Sequence, residues 1–191
     1  YPVEQIHSRL SQSARTKISD KFKTARRGIL FSSDVSARGM DYPDVTFVLQ
    51  IGLVEREQYI HRLGRTARAG KSGSGMIILA PYEENTMRRA LQDMPLQASV
   101  PAMGPEVTGK VSTALSRVPG NAELKASSEQ AYRAWMGYYN GQLRKCGWDK
   151  PTLVKEANKM ATYYGLVQQP ALLKKTVGKM GLKGVPGLLI E

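Results

Sequence analysis

Cysteine is almost missing from this sequence of 191 residues. Cys146 stands alone, which excludes an intrachain disulfide and a cysteine-rich zinc site and leaves a buried or half-buried structural thiol as its expected role. Histidine is nearly as scarce: His7 and His61 are too few and too separated to gather a metal, so no metal site is expected. No apolar run approaches the roughly 18 residues that a membrane-spanning helix requires, so no span is expected. Acidic residues are in short supply too, 16 against 28 lysines and arginines, a formal charge of +12. That imbalance fits a polyanionic partner, nucleic acid first and an anionic membrane surface second. Neither an initiating Met nor a targeting segment opens the chain at Tyr1, so it reads as a piece of a longer polypeptide.

Residues 1–94 alternate short apolar runs with helical patterns. Gly28-Ile29-Leu30-Phe31, Val45 to Ile51 and Met76 to Ala80 read as buried strands, with helices expected at about 12–24 and 56–68. Strands spaced by helices indicate an α/β domain, a parallel sheet with helices on both faces. Its working loops leave the C-terminal ends of the strands, which places them at 32–41 and 52–59.

Residues 95–126 change character, punctuated by Pro95, Pro101, Gly104, Pro105, Gly109, Pro119 and Gly120, and are expected to form a linker or a loosely helical connector. Residues 127–191 read as an all-helical C-terminal extension. Ser127 and Gln130 fit a capping box, Gly147 suits a helix end, and a second helix is expected from Asp149 with Pro151 in its first turn. Its apolar stripe is Leu153, Ala157, Met160, Ala161 and Tyr164, and a third helix is expected at about 170–180. Trp135, Tyr138, Tyr139, Tyr163 and Tyr164 are read as helix packing rather than base stacking. Positive charge is more one-sided after residue 94, with 13 basic against 6 acidic residues compared with 15 against 10 before it.

The most specific string is Tyr59-Ile60-His61-Arg62-Leu63-Gly64-Arg65-Thr66-Ala67-Arg68-Ala69-Gly70. Arg62, Arg65 and Arg68 are expected on one side of a helix, and guanidinium forks suit phosphate oxygens. Three arginines alone would be a solvated basic face, but the string resembles motif VI of superfamily 2 helicases. Upstream, Ser33-Asp34-Val35-Ser36-Ala37-Arg38-Gly39-Met40-Asp41 resembles motif V of the DEAD-box proteins, and Ser11-Gln12-Ser13-Ala14-Arg15 resembles their Gln-x-x-Arg motif. Order and spacing both match, over residues 5–82.

The resemblance implies a RecA-like domain, the second of two, lacking its first strand. It places Arg65 and Arg68 as catalytic, at the γ-phosphate of ATP held by the other RecA-like domain. Gly39 and Asp41 would lie near the ATP ribose, and Arg38, His61 and Arg62 would couple the two domains. Gln12, Arg15 and Ser33 would lie on the RNA side, Ser33 in place of a Thr and keeping its hydroxyl. Taken singly, Asp41 and Gly39 would be turn residues, and Gln12 and Arg15 a solvated helix start.

Neither a Gly-x-x-x-x-Gly-Lys-Ser/Thr loop nor an Asp-Glu-Ala-Asp sequence is found. The implied cofactors, ATP and Mg²⁺, would therefore be held mainly by a preceding domain, and this chain alone is expected not to hydrolyse ATP. Ala131 to Trp135, Asn158 to Ala161 and Met180 to Leu188 are similar to the extension of fungal mitochondrial helicases that act as RNA chaperones for introns. That likeness implies duplex and structured intron RNA as partners, and the mitochondrial matrix as the compartment. Within the extension, Arg144, Lys145, Lys155 and Lys159 are the expected RNA contacts, giving affinity without base specificity. Two other readings stay open: a helicase-derived assembly subunit of a ribonucleoprotein such as a mitochondrial ribosome, and a DEAH-type or DNA-directed helicase of the same superfamily.

Overall fold

The computed structural model describes residues 1–34, 42, 44–68, 70–100 and 103–191, and the described chain forms two units, 1–94 and 95–191. In the first unit the order is β1 (Val3–Ile6), α1 (Gln12–Thr24), β2 (Ile29–Ser32), β3 (Phe47–Ile51), α2 (Arg56–Leu63), β4 (Ser74–Ile78) and α3 (Pro81–Ala90). β1 pairs in parallel with β2, and β3 in parallel with β4. Parallel strands need a crossover, and α1 and α2 supply one for each pair. This is the RecA-like α/β fold expected from the sequence.

Local chemistry explains the element boundaries. α1 starts where the Ser11 side chain accepts the Ala14 amide at 3.2 Å. α3 starts at Pro81 after Ala80, which has no capping side chain, and the buried Glu83 substitutes for one. Its Oε2 accepts from the Ala80 amide at 2.8 Å and its Oε1 from the Leu53 amide at 3.1 Å, tying α3 to the loop after β3. β1 was not read from the sequence, because Val-Glu-Gln-Ile is short and half polar. β4 lies two residues earlier than expected, with Gly75 inside it, where Ser74 to Ile78 pair with Phe47 to Ile51. A Cβ on Gly75 would collide with Leu63 Cδ1, so a bare backbone lets the end of α2 lie close against the strand.

Alternation along the strands puts Ile6 and the half-buried Leu30 on one face of the β1–β2 ladder, and Gln50 with the half-buried Val48 and Ile77 on one face of the β3–β4 ladder. On the other face of the first ladder Val3, Ile29 and Phe31 are exposed, and on that of the second Phe47, Leu49, Ile51, Met76 and Ile78, Ile51 by 69%.

The second unit holds α4 (Pro105–Leu115), α5 (Ala122–Asn140), α6 (Leu143–Cys146), α7 (Lys150–Tyr163) and α8 (Lys174–Lys179). The stretch expected as a connector is helical over α4. α5 begins at Ala122 rather than near Ser127, because the Asn121 side chain caps it by accepting the Leu124 amide at 3.0 Å. Ser128 then lies inside the helix and donates to Tyr164 O. α7 starts next to Asp149, where a helix was expected to begin. The Asp149 side chain caps it by accepting the Thr152 amide at 2.8 Å, and hydrogen bonding from the Thr152 side chain and then its amide lowers the carboxyl from its ordinary value. Gly147 ends α6 in the left-handed region at φ 66°.

α5 and α7 pack through Tyr132, Met136, Leu153, Ala157 and Ala161, all buried. Trp135, Tyr139 and Trp148 close into one aromatic cluster, with Trp135 and Tyr139 ring centroids 4.4 Å apart, so these rings pack; Tyr163 instead stays exposed. At the core, Tyr132 donates its hydroxyl to Asn158 Oδ1 at 3.0 Å, and Asn158 Nδ2 donates to Gly187 O at 2.9 Å. That chain of bonds fastens the C-terminal segment to α7.

Burial pushes the Tyr132 phenol up to about 12. A folded-state value above the unfolded one stabilises fully below pH of about 10 and is lost as pH rises toward the folded value. Stability of the second unit, followed by its two tryptophans, is therefore expected to fall between about pH 10 and 12. Tyr132→Phe should lessen that decline, the remainder coming from Tyr164, which burial also raises, and cost roughly 1–2 kcal/mol at neutral pH in urea unfolding, since Asn158 loses its donor.

Candidate functional site: an arginine loop and two basic helices

Helix α2 stops at Leu63, and the expected helix to residue 68 is not formed. Arg65 and Arg68 therefore do not occupy successive turns of a helix; they stand on a loop just past its end. The backbone tightens as it leaves, with Arg65 N–H donating to Arg62 O and Thr66 N–H to Leu63 O, both at 3.1 Å. Ala67 then turns into the left-handed region at φ 56°, a conformation that costs a residue with a Cβ about 1–2 kcal/mol. Neighbouring contacts must offset that strain. Thr66 is buried and donates its hydroxyl to Val45 O, Lys71 pairs with Asp44, and Ser74 N–H donates to Thr46 O at 3.1 Å.

Each arginine in the loop also reaches back. Arg65 Nε donates to His61 O at 3.1 Å and Arg68 Nε to Gly64 O at 2.8 Å. Cations at a helix C-terminus complement its exposed carbonyls, which steadies both side chains. One Nε is a single member of the five donors in a guanidinium, so this anchoring is compatible with a phosphate contact through the rest of the fork. Arg62 is held differently, by an ion pair of its Nε and terminal nitrogen with Asp34 at 2.7 Å. His61 is exposed on α2.

That ion pair brings two sequence-predicted regions together. Ser33 follows β2, bonded through its N–H to Ile6 O at 3.2 Å, and Asp34 is its neighbour. Ser33 thus stands at the C-terminal end of the β1–β2 ladder, one residue from the partner of Arg62. Gln12 opens α1 and is exposed. Arg15, one turn on, is half-buried, and its Nε is enclosed without a hydrogen bond. Arg38, Gly39 and Asp41 lie outside the described residues.

In the second unit, Lys155 and Lys159 are four apart on α7 and exposed on the face opposite Leu153, Ala157 and Ala161. Lys159 pairs with Glu156 at 2.6 Å. Arg144 and Lys145 are exposed in the last turn of α6. Among the described residues no group of three His, Cys, Asp or Glu side chains gathers. What does gather is guanidinium, which fits phosphate oxygens and repels a divalent cation. Also among those residues, no helix is long and apolar enough to cross a membrane. Sequence reasoning missed Asp34 as the partner of Arg62, and Thr66 and Asp44 as anchors of the loop. Only the hydroxyl of Thr66 amid arginines was a signal.

The helicase conserved C-terminal domain family matches residues 1–70. DEAD-box ATP-dependent RNA helicase 31 of Arabidopsis thaliana is 52% identical over 97% of this chain and 25% of its own length. DEAD-box ATP-dependent RNA helicase 26 of Oryza sativa is 50% identical over 97% of this chain and 34% of its own. The chain thus spans about a quarter to a third of these relatives, which are plant proteins rather than members of the fungal subgroup that the extension resembles. Among solved structures, Mss116p DEAD-box helicase domain 2 bound to an RNA duplex matches at a TM-score of 0.74 and 28% identity, over 100% of this chain and 75% of that one. Mss116 bound to ssRNA and UDP-BeF matches at 0.77 and 27%, over 98% and 38%.

Exposed ion pairs contribute little to stability. A double-mutant cycle on Asp34→Ala and Arg62→Ala, read by urea unfolding, should give a coupling of about 1 kcal/mol or less that shrinks in 1 M salt.

Proposed function

We propose that this chain is the second RecA-like domain of a DEAD-box RNA helicase with its extension, that it binds duplex RNA, and that it supplies Arg65 and Arg68 to ATP hydrolysis in the full-length protein. The match of residues 1–70 to the helicase conserved C-terminal domain family and the likeness to DEAD-box relatives support this. The observation that carries this reading is the loop itself. Two arginines, anchored through Nε and lifted off the helix, stand in the same unit as Ser33 and Arg15.

ATP and Mg²⁺ would be held mainly by a preceding RecA-like domain, the remaining partner. The γ-phosphate supplies the charge that builds up in transfer, and preorganised guanidinium groups stabilise it at no reorganisation cost when they arrive. Gly39 and Asp41 would approach the ribose. Arg38, His61 and Arg62 would register the arrival of the other domain, Arg62 through the Asp34 pair that leads back to Ser33. Gln12, Arg15 and Ser33 take RNA backbone. Closure on both ligands would bend one strand out of the duplex.

Arg144, Lys145, Lys155 and Lys159 widen the RNA surface by charge, without base readout, which suits an RNA chaperone acting on structured introns. Mss116p domain 2 bound to an RNA duplex, alike over this whole chain, supports the duplex reading. The mitochondrial matrix is the proposed compartment, on the likeness of the extension alone. The isolated chain, with no phosphate loop, is proposed to be inactive toward ATP.

Arg65→Ala in the full-length protein should abolish RNA-stimulated ATP turnover and leave duplex binding intact; unchanged turnover would refute the role. The chain by itself should bind duplex RNA better than duplex DNA, with steep salt dependence. Lys155→Ala with Lys159→Ala should flatten the slope of log affinity against log salt by about 2, and an unaltered slope would remove those lysines from the interface.

A further inference from the structure

A helix that ran on through Gly64 to Arg68 would satisfy the backbone and place both arginines on its surface. The chain leaves that path, and the contacts holding it off are not local. Residues 44, 45 and 46, just ahead of and entering β3, each receive one bond from the loop: Lys71 to Asp44, the Thr66 hydroxyl to Val45 O, and Ser74 N–H to Thr46 O at 3.1 Å. The middle contact is the one placed between the arginines. Thr66 is 6% exposed, with Arg65 before it and the left-handed Ala67 and then Arg68 after it. Space for it depends on Gly73, where a Cβ would stand 2.6 Å from the Ala67 amide nitrogen and closer still to Thr66 Oγ1.

We infer that Thr66 is a positioning residue for Arg65 and Arg68, acting through the bond from its hydroxyl to Val45 O, and that Gly73 is the small residue this bond requires. The position of the arginines is then set from the entry to β3 and not from α2. Two facts favour this over a hydroxyl that is merely satisfied in a core. Its acceptor lies 21 residues away in sequence, in the segment leading into β3, and it stands next to the one non-glycine residue with positive φ among the described residues, which the tether keeps from relaxing into helix.

The inference rests on the proposal that Arg65 and Arg68 meet the γ-phosphate, so both are tested together in the full-length helicase. Thr66→Val, Thr66→Ser, Gly73→Ala and Arg65→Ala are compared for RNA-stimulated kcat, KM for ATP, duplex RNA affinity and Tm. Thr66→Val removes the hydroxyl at constant shape, and Gly73→Ala crowds it out. Each should lower kcat by about ten- to a hundredfold, the scale of a small misplacement, with KM and RNA affinity within about twofold. Thr66→Ser should keep most of the wild-type kcat. A Thr66→Val enzyme with normal kcat, beside an Arg65→Ala enzyme that has lost it, overturns the positioning role and leaves the arginine role standing. Normal kcat in Arg65→Ala overturns the arginine role itself. A Ser variant as impaired as Val shows that packing, and not the hydroxyl, was responsible, which also overturns the inference. Should Thr66→Val fail to fold, Gly73→Ala decides, and normal kcat there overturns it.

Discussion

The termination of α2 at Leu63 is the constraint on which the candidate site depends. Helix continuation is the default for a polar, arginine-rich stretch, since arginine and alanine are good helix formers. Three features oppose it here. Gly64 weakens the helix, Leu63 is drawn against the bare backbone of Gly75, and the Thr66 hydroxyl has an acceptor off the helix axis in Val45 O. None is large alone; together they outweigh the cost of placing Ala67 at φ 56°. The result is a pair of guanidinium groups fixed at their Nε ends by the last carbonyls of the helix they have left.

Positive charge in this chain does two physically different things. In the first unit it is preorganised: Arg62, Arg65 and Arg68 are each held by a named partner, so little side-chain entropy remains to be lost on meeting a phosphate. In the second unit Lys155 and Arg144 are exposed on helix surfaces whose opposite faces supply the core. Long lysine side chains on a solvated face give counterion-release affinity that tolerates many backbone geometries. Under the proposed function, a fixed fork would suit one transition state, and exposed lysines would suit RNA of varied shape. The charge excess seen in composition is the sum of these two and distinguishes neither.

Much of the architecture was legible because its signals are short-range. The α1 limits at Gln12 and Thr24, the Asp149 cap and the left-handed Gly147 all depend on residues within four positions of one another. The site residues were legible as a string, but the shape of their loop was not. It rests on pairings at long separation, Thr66 with Val45, Lys71 with Asp44 and Arg62 with Asp34, which a local pattern cannot rank above helix propensity. The start of α5 failed for the opposite reason. Ser127 and Gln130 imitate a capping box, and only the competing cap at Asn121, with apolar Leu124 and Tyr132 following in phase, decides between them.

The two strand ladders bear on how firmly the arginine loop can be held. The loop hangs from the entry to β3, and β3 has β4 as its paired neighbour among the described residues. A two-stranded ladder is marginal in water, and parallel sheets ordinarily have both faces covered. Here Phe47, Leu49, Ile51, Met76 and Ile78 leave one face of that ladder exposed. Covering those five side chains removes apolar area worth about 25 cal/mol per Å² from water, and the gain falls on the strand that fixes Val45. Whatever polypeptide covers that face would therefore stiffen the mount of Arg65 and Arg68 without touching either. Packing and the mount of the two arginines share one strand, so a mutation on the open face would still reach Arg65 and Arg68 through β3, Val45 and Thr66.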